Sequence, residues 1–219
     1  MKAKLFLLFL SLTFSSYLLA QRGFPFANEI AAFKHKDSLN FPPRNGVLFI
    51  GSSSIRKWTD LEKRFPGIPI IRRGVGGCEL WQVVDYYTPY ILFPYHPAKI
   101  FIYAGENDIA SNKTAQFVAD EFGKLWVMIN RQLPSAEIYF MSIKQSPSRA
   151  KYDDEINKAN GLIKAYLNNK PKSHYIDIET AIYKPGTTRP DSSLFESDYL
   201  HLKSIGYDKW QKVLQPYLD

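Results

Sequence analysis

The chain is predicted to fold as an α/β domain with a parallel sheet wrapped by helices on both faces, and three observations carry that expectation. An unbroken apolar run at residues 47–50, of the kind that forms a strand buried on both faces, is followed by short strand-like segments rich in apolar residues at 68–72, 99–104, 137–143 and 174–178. Helix-length amphipathic segments separate most of them. The first three runs each stop at a glycine-containing turn carrying small or polar residues. In such a sheet, functional groups gather at the carboxyl ends of the strands.

Whole-chain properties bound the reading further. With 219 residues, 45% hydrophobic and 22% charged, the sequence suits one soluble globular domain with a sizeable core. Lys2 and Lys4 precede an apolar stretch from Leu5 to Phe14, and the segment closes on the small residue Ala20. This is the pattern of a secretory signal cleaved after Ala20, so 1–20 is assigned to the signal and 21–219 to the domain. The apolar stretch is short for a membrane span of about 20 residues, so no stable membrane anchor is expected after cleavage. Cys78 is the single cysteine, which excludes an intrachain disulfide and suits a bacterial periplasm or bacterial secretion. Cys78 itself reads as a small packed residue. The net charge is +7, and +5 without Lys2 and Lys4, with Lys and Arg spread over many segments. That distribution describes a solvated surface, and no nucleic-acid partner is expected.

Taken in order, residues 28–36 are a short helix candidate, and the proline-containing loop 41–46 leads into strand 47–50. Gly51 stops that strand, three serines follow, and 55–65 has a helical pattern. The second strand, 68–72, runs into Gly74, Val75, Gly76 and Gly77. A helix over 79–87 and a turn marked by Pro94 and Pro97 come next. Strand 99–104 ends in Gly105, Glu106, Asn107 and Asp108, and Thr114 is placed to cap a helix reaching about Gln132. After strand 137–143 a Ser- and Pro-rich loop extends to Arg149, and 153–167 is helical. Strand 174–178, an irregular segment over 180–198 and a closing helix over 202–217 complete the chain.

Chemistry concentrates at the ends of these runs. A serine at a strand–glycine–helix corner meets unpaired helical N–H groups that favour developing negative charge, so Ser53 is well placed as a nucleophile. A hydroxyl needs a base to take its proton, and a neutral imidazole serves near neutral pH. His35, His96 and His174 are better explained by surface or packing roles. His201 follows Asp198 by three residues, close enough for a carboxylate to orient the ring within one turn. A glycine N–H and an Asn amide would complete a site for acyl transfer by holding a tetrahedral oxyanion.

The blocks Gly51-Ser52-Ser53, Gly74-Val75-Gly76-Gly77, Gly105-Glu106-Asn107-Asp108 and Asp198–His201 resemble, in order, those of the SGNH hydrolases, also called GDSL-like esterases and lipases. The resemblance covers nearly the whole mature chain. It is nearest to the bacterial relatives of platelet-activating-factor acetylhydrolase, through the RGVGG and GENDI runs. It implies a three-layer α/β/α sandwich with a five-stranded parallel sheet ordered 2-1-3-4-5, and no metal or organic cofactor. It also implies Ser53 as nucleophile, His201 as general base and Asp198 as its orienter. The implied oxyanion hole is the N–H groups of Ser53 and Gly77 with the Asn107 amide.

Two positions depart from the family pattern. Ser52 replaces the Asp of the family's name motif, which leaves Ser52 and Ser54 as rival nucleophiles, and Arg72 replaces an Asn frequent in the glycine block. The expected function is hydrolysis of a short, acetyl-type ester of a small molecule or polysaccharide. An O-acyltransferase, a lipase and an inactive binding module are the alternatives. The loops 142–149 and 183–197, with Lys144, Gln145, Ser146, Arg149, Thr187, Thr188 and Arg189, are expected to offer polar groups to substrate hydroxyls. Trp58 and Trp81 are candidate platforms for a sugar ring.

Overall fold

A computed structural model describes residues 24–218, so the expected signal and its cleavage site lie outside the described residues. Five strands, β1 (Val47–Gly51), β2 (Ile70–Gly74), β3 (Lys99–Tyr103), β4 (Glu137–Met141) and β5 (Ser173–Ile176), form one sheet in the order β2-β1-β3-β4-β5. Every pairing is parallel, with Gly51 opposite Gly74 on one side and Tyr103 on the other.

Alternation along the strands divides their apolar side chains between two cores. Leu48, Ile50, Ile100, Ile102, Ile138 and Phe140 face the first. It is closed by α1 (Ala27–Leu39), a helical run over 80–91 (α4), α6 (Ala115–Gln132) and α7 (Asp153–Leu167). Val47, Phe49, Phe101, Tyr103, Tyr139 and Met141 face the second, beneath α2 (Ser53–Arg56), α3 (Leu61–Arg64) and α8 (Ser204–Leu218). The remaining helix, α5 (Glu106–Ala110), follows β3 directly. This is the expected three-layer sandwich, in the expected strand order.

The second core carries a row of rings across four strands. Phe49 stacks on Phe101 at 4.6 Å, Phe101 on Tyr139 at 4.6 Å, and Tyr139 on His174 at 4.7 Å. These residues are opposite one another in the sheet register, so pairing itself brings the rings together. His174 thus has the packing role expected of it.

Several boundaries shift for identifiable reasons. The second strand begins at Ile70 because Pro69 has no N–H, although its carbonyl accepts from Val47 at 3.0 Å. It then runs two residues further, taking Gly74 into the sheet. The helix expected over 55–65 is two short helices, α2 and α3, broken around the weak helix formers Thr59 and Asp60. Trp58, at the break, is fully buried and stacks on Tyr207 at 4.9 Å. α4 extends to Ile91 and includes a π-helical stretch, Val83–Tyr87. No helix among the described residues is long and apolar enough to cross a membrane.

Candidate active site

The turn that carries the serine block is built by Gly51. Its φ of +137° lies where L side chains rarely go, and a β-carbon there would lie 1.8 Å from the Tyr103 carbonyl oxygen. The strand therefore turns tightly between its neighbours, and the Ser52 N–H donates to that same Tyr103 carbonyl at 2.9 Å. Ser52 and Ser54 are buried, whereas Ser53, the first residue of α2, is partly open. At that position its own N–H has no intrahelical acceptor.

Ser53 Oγ lies 2.9 Å from His201 Nε2, and His201 Nδ1 lies 2.6 Å from Asp198 Oδ2. The three residues expected to work together do meet. The Asp198–His201 turn is strung on its own carboxylate, since Asp198 Oδ1 accepts from the N–H groups of Leu200 at 3.0 Å and His201 at 2.9 Å. An antiparallel bridge between Phe195 and Leu202, both buried, fixes the base of this loop in the second core. Against the penalty of partial burial, the His201 ring and these backbone donors hold the Asp198 carboxyl well below the usual carboxylate range. Asp198 is thus anionic whenever the imidazole could act as a base.

The glycine block wraps around the end of β1. The Val75 N–H donates to the Gly51 carbonyl at 2.8 Å, and the buried Cys78 Sγ lies 3.5 Å from the same oxygen. Burial pushes the Cys78 thiol up, so it remains a packed, protonated group as expected. Gly77 adopts a φ of +80°, and a β-carbon there would stand 3.7 Å from the Phe26 ring, which is 37% exposed. The Gly76 N–H donates to Glu29 of α1 at 2.9 Å, so α1 grips this loop. Nothing in the sequence pattern of α1 marks Glu29 for that task.

The asparagine block is fastened to the glycine block twice. Asn107 Nδ2 donates to the Cys78 carbonyl at 2.9 Å, and the Leu80 N–H donates to Asp108 Oδ2 at 2.7 Å. Burial pushes the Asp108 carboxyl up to about 6. Below it, Glu106 accepts from the Tyr103 hydroxyl at 2.6 Å and from the fully buried Lys144 at 2.8 Å. Burial pulls Lys144 below the usual ammonium range, opposed by Glu106 beside it.

Two expectations are corrected by the burial of these side chains. Lys144, Gln145 and Ser146 are buried and cannot meet a substrate hydroxyl, because the loop after β4 dives beneath the asparagine block. Trp58 is a core residue and no sugar platform, while Trp81 is half-buried with its indole N–H on Glu79 at 2.8 Å. Arg72, which departs from the family pattern, donates to the Arg56 carbonyl at 2.7 Å and to Glu62 at 3.2 Å, closing the end of α2. Its neighbour Arg73, which the sequence reading did not single out, is buried on Asp37 of α1 and donates to the Tyr95 hydroxyl at 2.6 Å. Thr187, Thr188 and Arg189 lie on an exposed turn closed by a bridge between Tyr183 and Pro190. Among the described residues no cluster of His, Cys, Asp and Glu is arranged to hold a metal ion.

No protein-family model and no curated protein matches the sequence. Solved structures do match. A protein of Streptococcus pneumonia named for platelet activating factor superposes with a TM-score of 0.77 at 19% identity, covering 96% of this chain and 99% of its own. A GDSL-like lipase from Bacteroides thetaiotaomicron gives 0.71 at 18% identity, covering 88% and 98%. The chain has the GDSL-like hydrolase fold. A carbohydrate esterase family 3 protein from Talaromyces cellulolyticus shares this fold at a TM-score of 0.64 and 14% identity, covering 79% and 95%. The GDSL-like fold places the loops after β1, β2 and β3 side by side, which is where the serine, glycine and asparagine blocks stand.

Proposed function

We propose that the protein is an exported SGNH-type serine esterase that releases short acyl groups, acetyl above all, from polar alcohols such as carbohydrates. The observation that carries this reading is the hydrogen-bonded chain from Ser53 Oγ through the His201 ring to Asp198, at 2.9 Å and 2.6 Å. In the proposed reaction His201 Nε2 takes the Ser53 proton as Oγ attacks the ester carbonyl carbon. Asp198 accepts from Nδ1–H and stabilises the imidazolium. The N–H groups of Ser53 and Gly77 and the Asn107 amide receive the oxyanion. Collapse expels the alcohol, which takes the proton from His201. Water, deprotonated by the same ring, then attacks the acyl carbon, and the bond to Oγ breaks to release the acid as His201 returns the proton to Ser53.

The short-acyl assignment is supported by Phe26, whose ring would stand 3.7 Å from a β-carbon at Gly77 and so takes up space beside that glycine. Phe26 and the half-buried Trp81 also offer aromatic surface beside that loop. Fold neighbours that include a carbohydrate esterase agree with a sugar-type alcohol. The test is kcat/KM for acetyl, butyryl, octanoyl and palmitoyl esters of one leaving group, alongside acetate release from acetylated polysaccharide. Acetyl or butyryl is expected to lead. A maximum at octanoyl or longer with activation by lipid interfaces would make the protein a lipase, and transfer of the acyl group to a sugar hydroxyl would make it an acyltransferase.

A further inference from the structure

An asparagine amide can serve an oxyanion only with its NH2 turned to the site, and a half-turn about its last side-chain torsion exchanges NH2 for oxygen at almost no steric cost. Asn107 therefore needs partners that discriminate the two ends. On one side stands the Cys78 carbonyl, which can only accept, 2.9 Å from Nδ2. On the other stands Arg149, whose Nη1 and Nη2 can only donate, each 3.1 Å from Asn107 Oδ1. Rotating the amide would set NH2 against a guanidinium and oxygen against a carbonyl. One Nδ2 hydrogen is committed to Cys78 and the second is left for a substrate.

Resting on the reading of Asn107 as an oxyanion donor, we propose that Arg149 is the positioning residue that orients and polarises the Asn107 amide. Arg149 is itself held rigidly. Nη1 lies 3.3 Å from the Glu106 carbonyl oxygen and 3.4 Å from its carboxylate, and that carboxylate is anchored by Lys144 and Tyr103. A cation on the amide oxygen draws electron density from the nitrogen, which makes its N–H a stronger donor to a developing negative charge. The short helical turn Pro147–Tyr152 that carries Arg149 is also tied to the base: the Ser148 N–H and hydroxyl both donate to the Tyr199 carbonyl, at 3.1 and 3.0 Å, within the Asp198–His201 turn. One loop thus sets the spacing between the oxyanion donor and the imidazole. This accounts for an arginine at a place where the sequence suggested a contact to substrate hydroxyls.

The test is a double-mutant cycle on the mature enzyme with p-nitrophenyl acetate, using Arg149→Met, Arg149→Lys, Asn107→Ala and the Arg149→Met/Asn107→Ala pair. Asn107→Ala is expected to lower kcat by about 10²–10³ with KM little changed. Arg149→Met should lower kcat by about 10–100-fold, also with little change in KM, as expected when a catalytic group is misoriented. Arg149→Lys should recover part of the loss, since an ammonium keeps the charge without the two-nitrogen fork. It also keeps the test alive if Arg149→Met does not fold. In the Asn107→Ala background Arg149→Met should cost almost nothing further. If Asn107→Ala leaves kcat intact, the oxyanion reading itself fails. If Asn107→Ala is impaired and the Arg149→Met loss persists undiminished in that background, or appears only in KM, the positioning role alone is overturned.

Discussion

Three consecutive serines meet three different environments within one turn. Ser52 and Ser54 are buried against the sheet and α8, where the Ser54 carbonyl accepts from the Tyr207 hydroxyl at 2.9 Å, and Ser53 alone faces the His201 ring. Of the three, Ser53 is the one whose hydroxyl lies within hydrogen-bond reach of His201 Nε2, at 2.9 Å, which supports it as the proposed nucleophile. Ser53→Ala is expected to reduce kcat by about a million-fold, as in other Ser-His-Asp enzymes, and to abolish labelling by a fluorophosphonate. Ser52→Ala and Ser54→Ala should remain labelled and active. Intact-mass spectrometry after labelling checks all three, and a labelled, active Ser53→Ala protein would remove the proposed nucleophile.

Turns, more than helices and strands, decide where chemistry is placed. Gly51 is the tightest of them, with a neighbouring carbonyl where a β-carbon would be. Gly51→Ala is expected to destabilise the fold by about 2–4 kcal/mol, combining a steric clash with a backbone conformation unfavourable to L residues. Its urea midpoint and its kcat should fall together, because β1 and the turn that carries Ser53 share that residue. An unchanged midpoint would mean that β1 and β3 can separate there without loss. Among the longer helices, α6 starts at a cap that was readable in advance. Thr114 accepts from the Phe117 N–H at 3.1 Å and starts α6, as its position in the sequence indicated.

For the molecule as a whole, a buried carboxyl away from the serine sets a pH dependence of stability. Glu179, which follows β5, accepts from the Gln145 N–H at 3.3 Å and from Asn160 at 3.1 Å, between the loop after β4 and α7. Burial pushes it from 4.5 up to about 7, against the hydrogen bonds from Tyr183, Gln145 and Asn160. The native state thus binds more protons than the unfolded chain in that interval, so this group's stabilising contribution is complete below about 4.5 and is lost as pH rises through about 7. Glu179→Gln imitates the protonated form. Its Tm relative to the wild type is expected to rise between pH 5 and pH 8, measured by calorimetry. A difference in Tm that stays constant over that range would show that Glu179 is ionised throughout. A smaller slope of the same sign remains in the variant, because Asp108 is also raised by burial, to about 6.

The order of elements, the parallel sheet and the residues of the serine, glycine, asparagine and Asp-His blocks were all legible in the sequence. Apolar runs, glycine turns and three-residue spacings are properties of neighbouring residues, and local chemistry expresses them wherever the segment finally lies. The supports of the site were not legible. Arg149 reaches Asn107 across 42 positions, Glu29 reaches Gly76 across 47, and Arg73 reaches Asp37 across 36. Glu29 and Arg73 are long, flexible and charged, and as a sequence each reads as solvated surface, while Arg149 reads as a contact for substrate hydroxyls. Lys144 also reads as a contact for substrate hydroxyls, yet it is fully buried on Glu106. Which partner such a side chain finds depends on how separate helices and loops dock on the sheet, and that arrangement exists only after the two cores have closed.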